Sequence, residues 1–220
     1  ARYSAAVEKP SYTYATGSSA VSLTVSFSLD MSTMPKSPFT DVVAGSWYFD
    51  AALYASSHNL MLGTSPTEFS PNITMTRGML VTVLYRMNGS PSVSGKTPFT
   101  DVRTDEWYSA AVLWAYQNGI VTGMSDTTFA PINNVTREQM ATILFRYTKT
   151  AAPDKAKASA DLSGFADAGS VNDWAVDAMR WAVGQKLIAG ITLGQSVYLQ
   201  PRGNATRAQA ATVLTRYYAQ

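Results

Sequence analysis

The sequence predicts a mainly α fold made of three tandem helix-loop-helix repeats, and three observations predict it. Residues 38–86 align without gaps on residues 98–146, with identity at 20 of 49 positions. A third, more divergent copy runs from Phe165 to Arg216. Behind a Thr-Arg pair in each copy, apolar residues recur at helical spacing. One helix pair cannot bury its apolar stripe alone. Three copies packing their second helices around a common axis can, which predicts a pseudo-threefold α-helical unit.

The first 37 residues belong to no copy. Val21, Leu23, Val25, Phe27 and Leu29 alternate with Ser22, Thr24, Ser26 and Ser28, the period of a half-buried strand. Tyr12-Thr13-Tyr14 suits a partner strand, with Gly17-Ser18-Ser19 as the turn. Two readings stand: the end of an upstream β domain, or a segment docked on the repeats.

Repeat 1 occupies 38–90 and opens with Phe39-Thr40-Asp41-Val42 and Trp47-Tyr48. Its first helix is expected over about 47–59, with Ala51, Ala52, Tyr54 and Ala55 on the apolar face. Repeat 2 occupies 98–148 and repeats the pattern at Phe99-Thr100-Asp101-Val102 and Trp107-Tyr108. Repeat 3 occupies 164–218, with Phe165, Asp167 and Trp174 in the same order. Gly119 marks a left-handed stop for the first helix of repeat 2. The equivalents are Asn59, which tolerates that conformation, and Lys186, which does not suit it, so the third copy's helix is expected to end differently. Between copies, 88–95 and 148–163 read as polar surface linkers. Three extra residues in repeat 3, around 191–197, imply a longer loop.

The second helices begin at the Thr-Arg step. Thr136 with Gln139, and Thr206 with Gln209, form capping boxes; Thr76 lacks one because Met79 replaces the Gln. Leu80, Val83 and Leu84, then Met140, Ile143 and Leu144, then Ala210, Val213 and Leu214, supply the buried stripes. Gly78 in a first turn weakens its helix by roughly 1 kcal/mol relative to Ala.

Composition excludes several function classes. With 17 Lys+Arg against 15 Asp+Glu, the net charge of +2 and the lack of basic clusters argue against nucleic acid. Zero Cys removes disulfides, thiol catalysis and Cys-based zinc sites. A single His58 leaves no material for His triads or multi-His metal sites. No apolar run approaches bilayer length, so no membrane insertion is expected. No leader segment is visible, so the sequence reads as a mature chain or an excised fragment. Nothing calls for a cofactor or a metal.

The ordered series Phe-x-Asp-Val, Trp, Ala-rich helix, Gly, Phe-x-Pro and Thr-Arg resembles the S-layer homology (SLH) domain, over residues 38–218 and three times in succession. The resemblance implies a three-pronged spindle around a central three-helix bundle. It implies a non-catalytic anchor at the bacterial cell surface. The partner would be a secondary cell-wall polysaccharide carrying pyruvylated N-acetylmannosamine, held in grooves between prongs. The family's ligand-binding positions map to Arg77, Arg137 and Arg207; to Asp41, Asp101 and Asp167; to Trp47, Trp107 and Trp174; and to Gly63, Gly123 and Gly190. The copies read Thr-Arg-Gly-Met, Thr-Arg-Glu-Gln and Thr-Arg-Ala-Gln, so three equal sites are not expected.

These residue types suit an acidic glycan. A helix N-terminus offers free N–H groups and partial positive charge, and Arg at the first helical position adds a permanent cation. Glu138, beside Arg137, would oppose a bound anion and predicts a weaker second site than third. Other readings stand beside these. Trp47, Trp107 and Trp174 suit core anchors as well as ligand contacts, and the three Asp suit turn or capping roles. Arg86, Arg146 and Arg216 read as structural helix-end cations, and His58 as an exposed helix end. Two other functions compete: a glycoside hydrolase, and a protein-protein assembly scaffold for a surface array, contacting neighbouring surface proteins. A hydrolase needs one unequal carboxylate pair, whereas these Asp recur once per repeat.

Overall fold

The structure, a computed structural model, describes residues 11–16, 19–24, 36–157 and 160–219. Near the N-terminus, β1 (Ser11–Thr16) and β2 (Ser19–Thr24) form an antiparallel hairpin that pairs Tyr12 with Leu23 and Tyr14 with Val21. Val25, Phe27, Leu29 and the Gly17-Ser18 turn lie outside the described residues.

Six α-helices follow among the described residues. In repeat order they are α1 (Phe49–Ser57) and α2 (Arg77–Met87), α3 (Ser109–Gln117) and α4 (Arg137–Ala151), α5 (Val176–Gly184) and α6 (Arg207–Tyr218). The first helix of each repeat therefore starts about two residues later than its Trp-Tyr step suggested. The expected stripes are buried: Leu80, Leu84, Met140, Leu144, Ala210 and Leu214 are wholly enclosed. Trp114 and Trp181 join the same core.

The packing crosses repeat boundaries. Helix α2 packs on α3, α4 on α5, and α6 returns to α1. Each second helix thus covers the first helix of the following repeat, and the third repeat closes onto the first. Backbone hydrogen bonds draw the same ring. Met75 N–H donates to Ala205 O at 2.8 Å, Ala205 N–H to Val135 O at 2.9 Å, and Val135 N–H to Met75 O at 2.9 Å. All three residues are fully buried.

Local departures have local causes. Asn59, Gly119 and Lys186 all have positive φ, at 55°, 66° and 58°. The first helix of repeat 3 therefore ends as the others do, against expectation. Leu187 N–H closes onto Ala182 O at 2.9 Å, as Leu60 does onto Ala55 and Ile120 onto Ala115. Leu187 is wholly buried, and its burial holds Lys186 in the left-handed region. The expected polar linker after repeat 2 is partly structured. Helix α4 runs on to Ala151, Trp181 Nε1–H donates to Lys155 O at 2.9 Å, and Leu162 is buried. The extra residues of repeat 3 form a hairpin of β3 (Ile191–Leu193) and β4 (Ser196–Tyr198), turning at Gly194 with φ 62°.

Lys186→Gly relieves a left-handed residue that carries a Cβ. It is expected to stabilise the protein by about 0.5–1 kcal/mol, read as a higher midpoint in chemical denaturation. A lower midpoint would show that Lys186 stabilises the turn in another way.

Candidate functional site

The Thr-Arg step builds the site from the backbone outward. Thr76, Thr136 and Thr206 each accept a hydrogen bond from the N–H three residues on, and the Gln139 and Gln209 side chains complete the two expected capping boxes. The next two N–H groups go to the neighbouring repeat. Arg77 N–H donates to Asn133 O and Gly78 N–H to Pro131 O; Arg137 and Glu138 reach Gly203 and Pro201; Arg207 and Ala208 reach Ile73 and Pro71. The expectation of free helix-end N–H groups for an anion is therefore corrected: the fold consumes them.

The three arginines turn inward along the same seams. Arg77, Arg137 and Arg207 are only 5%, 6% and 6% exposed. Arg77 Nε donates to Phe129 O at 2.9 Å, Arg137 Nε to Leu199 O at 2.7 Å, and Arg207 Nε to Phe69 O at 2.8 Å. Arg77 Nη2 also reaches Thr122 O at 3.3 Å, and Arg207 Nη2 reaches Leu62 O at 2.7 Å. Arg77 and Arg207 lie over the Phe129 and Phe69 rings, 4.5 and 4.8 Å from the centroids. Burial pushes all three guanidinium pKa values down, and the following repeat's Asp pushes each back up. No carboxylate lies within ion-pair distance of these arginines among the described residues.

Each Asp shapes the loop that its arginine grips. Asp41 accepts from the N–H groups of Phe69 and Ser70 at 2.8 and 2.7 Å. Asp101 does so from Phe129 and Ala130, and Asp167 from Leu199 and Gln200. The second residue of each pair has positive φ, at 56°, 59° and 49°. One peptide unit thus offers its N–H to Asp and its neighbouring carbonyl to Arg. The loop glycines are equally structural in their surroundings. A Cβ on Gly63, Gly123 or Gly190 would sit 2.6, 2.7 or 2.8 Å from the ring of Phe39, Phe99 or Phe165.

The early tryptophans behave differently. Trp47, Trp107 and Trp174 are 66%, 58% and 54% exposed, which overturns the core-anchor reading. Trp47 and Trp107 stand edge-on to Tyr48 and Tyr108. His58 is an exposed helix end, stacked on Tyr54.

One groove of about 360 Å³ brings three site residues together, each from a different repeat. Arg77 comes from repeat 1, Gly123 from repeat 2 and Trp174 from repeat 3. The volume lies in the range of small-molecule sites. Thr122, Met124, Gln139, Thr142 and Arg146 also line it, and the sequence reading did not propose them. Arg146 thus lines the groove, whereas its sequence position suggests a structural helix-end cation. Its position two residues before the linker says nothing of a groove shared with other repeats. Glu138 does not stand exposed beside Arg137: it is 2% exposed, and its carboxylate accepts from the backbone and side chain of Asn172.

Comparison with known proteins settles the family. The model of the S-layer homology domain matches at residues 38–78, 98–141 and 164–211. The chain belongs to the S-layer homology domain family. An endoglucanase of Bacillus sp. (strain KSM-635) is 34% identical over 81% of this chain and 18% of its own length. An amylopullulanase of Thermoanaerobacterium thermosulfurigenes is 29% identical over 80% of this chain and 9% of its own. The surface-layer 125 kDa protein of Lysinibacillus sphaericus is 32% identical over 70% and 12%. The chain thus spans less than a fifth of these relatives. SLH domains anchor surface proteins to the cell wall and bind its polymers. The chain is accordingly a cell-surface, cell-wall-associated region. Among the described residues no helix is long and apolar enough to cross a membrane, and no group of three or more His, Cys, Asp or Glu is placed to hold a metal.

The Asp clamps lead to a stability test. Asp101→Asn leaves one buried N–H facing an amide, at an expected cost of about 1–3 kcal/mol in chemical denaturation. Asp105→Asn, which loses only an exposed pair with Arg103, is expected to leave the midpoint unchanged. Equal effects would show that Asp101 does not hold its loop.

Proposed function

We propose that this region is a non-catalytic anchor that grips an anionic, pyruvylated secondary cell-wall polysaccharide in grooves between repeats. The observation that carries the reading is the meeting of Arg77, Gly123 and the exposed Trp174 in one groove. Arg77 gives its floor permanent positive charge. Trp174 offers an apolar face for sugar CH or ketal methyl groups. By repeat correspondence, we assign two equivalent sites to Arg137 with Gly190 and Trp47, and to Arg207 with Gly63 and Trp107. The cyclic packing of α2 on α3, α4 on α5 and α6 on α1 supports the three-pronged spindle that the family resemblance implies. Three weak sites on one body gain avidity from a polymer that repeats its epitope.

Catalysis fits this arrangement poorly. Both oxygens of Asp41, Asp101 and Asp167 accept backbone N–H groups, which leaves them unsuited to general acid-base work. The enzyme-named relatives share this region with a surface-layer protein, so their activities belong elsewhere in those chains. A protein-protein scaffold for a surface array is the second reading, favoured by the exposed Trp47, Trp107 and Trp174.

The burial of the arginines decides which variants test binding. Arg77→Ala strands the carbonyls of Phe129 and Thr122 and is expected to lower stability together with binding. Trp174→Ala touches an exposed face. It is expected to weaken binding of pyruvylated wall polymer about tenfold, roughly 1.4 kcal/mol, with the melting temperature unchanged. Calorimetric titration against pyruvylated and depyruvylated polymer measures this. Equal affinity for both polymers would reject the pyruvylated ligand and favour the scaffold.

A further inference from the structure

The groove of Arg77, Gly123 and Trp174 holds a second guanidinium that its counterparts do not hold in the same way. Arg77 Nη2 donates to the backbone oxygen of Thr122, and Arg146 Nη1 donates to the hydroxyl of the same residue, both at 3.3 Å. Two cationic heads therefore converge on one threonine. Neither has a carboxylate within ion-pair distance among the described residues. Asp101 offsets the charge of Arg77 but spends both oxygens on backbone N–H groups, so Arg146 is left as the unbalanced charge.

The other repeats lack this device. The position of Thr122 is Leu62 in repeat 1 and Ala189 in repeat 3, neither with a hydroxyl. Arg216, the counterpart of Arg146, donates instead to the carbonyls of Lys186 and Leu187. Arg86 is exposed and makes no side-chain hydrogen bond among the described residues. A half-buried, pre-oriented cation such as Arg146 beside a buried one attracts an acid group more strongly than a solvated cation that must be ordered on binding.

We propose that Arg146, oriented by Thr122, is the specificity-determining residue that holds the acidic group of the glycan. The groove of Arg77, Gly123 and Trp174 is then the principal anion site of the chain. This rests on the anchoring reading and goes beyond it, because it moves recognition of the acid from the buried Thr-Arg arginines to a helix-end arginine in one repeat.

The test is calorimetric titration of the whole chain with a pyruvyl-ketal N-acetylmannosamine monosaccharide and with its neutral methyl ester. The wild type is expected to prefer the acid. Arg146→Gln is expected to lower affinity for the acid at least about tenfold and to abolish the preference over the ester, with an unchanged melting temperature. Arg146→Lys is expected to recover part of the loss. Thr122→Leu, which imports the residue of repeat 1, is expected to weaken the acid and spare the ester. Arg86→Gln and Arg216→Gln are expected to stay within about twofold of the wild type. If Trp174→Ala loses binding while Arg146→Gln keeps its preference for the acid, the role of Arg146 is overturned and the anchoring reading stands. If the wild type binds neither sugar, both fall.

Discussion

The architecture depends on one interaction used three times: a buried guanidinium of one repeat donating to a carbonyl of the next. A cation removed from water without an ion pair is costly. Here the cost is offset by carbonyl acceptors, by a Phe ring beneath Arg77 and Arg207, and by an Asp on the far side of the same loop. The peptide between Asp and Arg is polarised from both ends, which strengthens each bond. Because the Asp belongs to the repeat that supplies the carbonyl, each loop is shaped by its own repeat and gripped by the preceding one. No repeat completes its own set of hydrogen bonds. The closed ring of Met75, Ala205 and Val135 makes the dependence circular, unlike an open solenoid whose ends need caps.

The same interaction sets what the grooves can offer. Their floors are fixed by backbone and by buried cations that cannot lose their charge, so little ordering is needed when a ligand arrives. The rim of the groove lined by Arg77 carries the adaptable parts, the exposed Trp174 and the helix-end Arg146. This division separates two kinds of residue that sequence repetition presents alike. Arg77 and Trp174 recur with equal regularity through the chain, yet one closes the fold and the other faces solvent.

Much of this was legible in the residues. The helical stripes, the two capping boxes, the missing one at Met79 and the buried Trp114 and Trp181 follow from periodicity and cap chemistry, which act within a few residues. The direction of the arginines was not legible. Their partners lie 45 to 145 residues away in sequence, and no local rule specifies a carbonyl in another repeat. The end of α5 failed for a related reason. Lys186 is a poor left-handed residue by propensity, but burial of Leu187 one step later fixes the turn. Helix α4 outran its expected end because nothing in Tyr147 to Ala151 breaks a helix before Pro153.

Near-symmetry of the repeats does not make their interfaces interchangeable. A Cβ on Gly78 would lie 3.0 Å from Pro131 O and 3.4 Å from Tyr108, so the seam between repeats 1 and 2 is tightest at the backbone of Pro131, with the tyrosine at ordinary contact distance. Repeat 3 has Ala175 where repeat 2 has Tyr108, and repeat 2 carries Glu138 where repeat 1 carries Gly78. The large residue then comes from the other side of the seam: Glu138 crosses to Asn172, whose side chain also accepts from Arg202. Small faces large at one interface and large faces small at the next. A seam matched in this way accepts its own neighbour and rejects a permuted one, since Glu138 opposite a tyrosine would be crowded and its buried carboxylate left without Asn172. The seams are therefore unequal, and inequality among the sites they enclose follows from the packing that closes the ring.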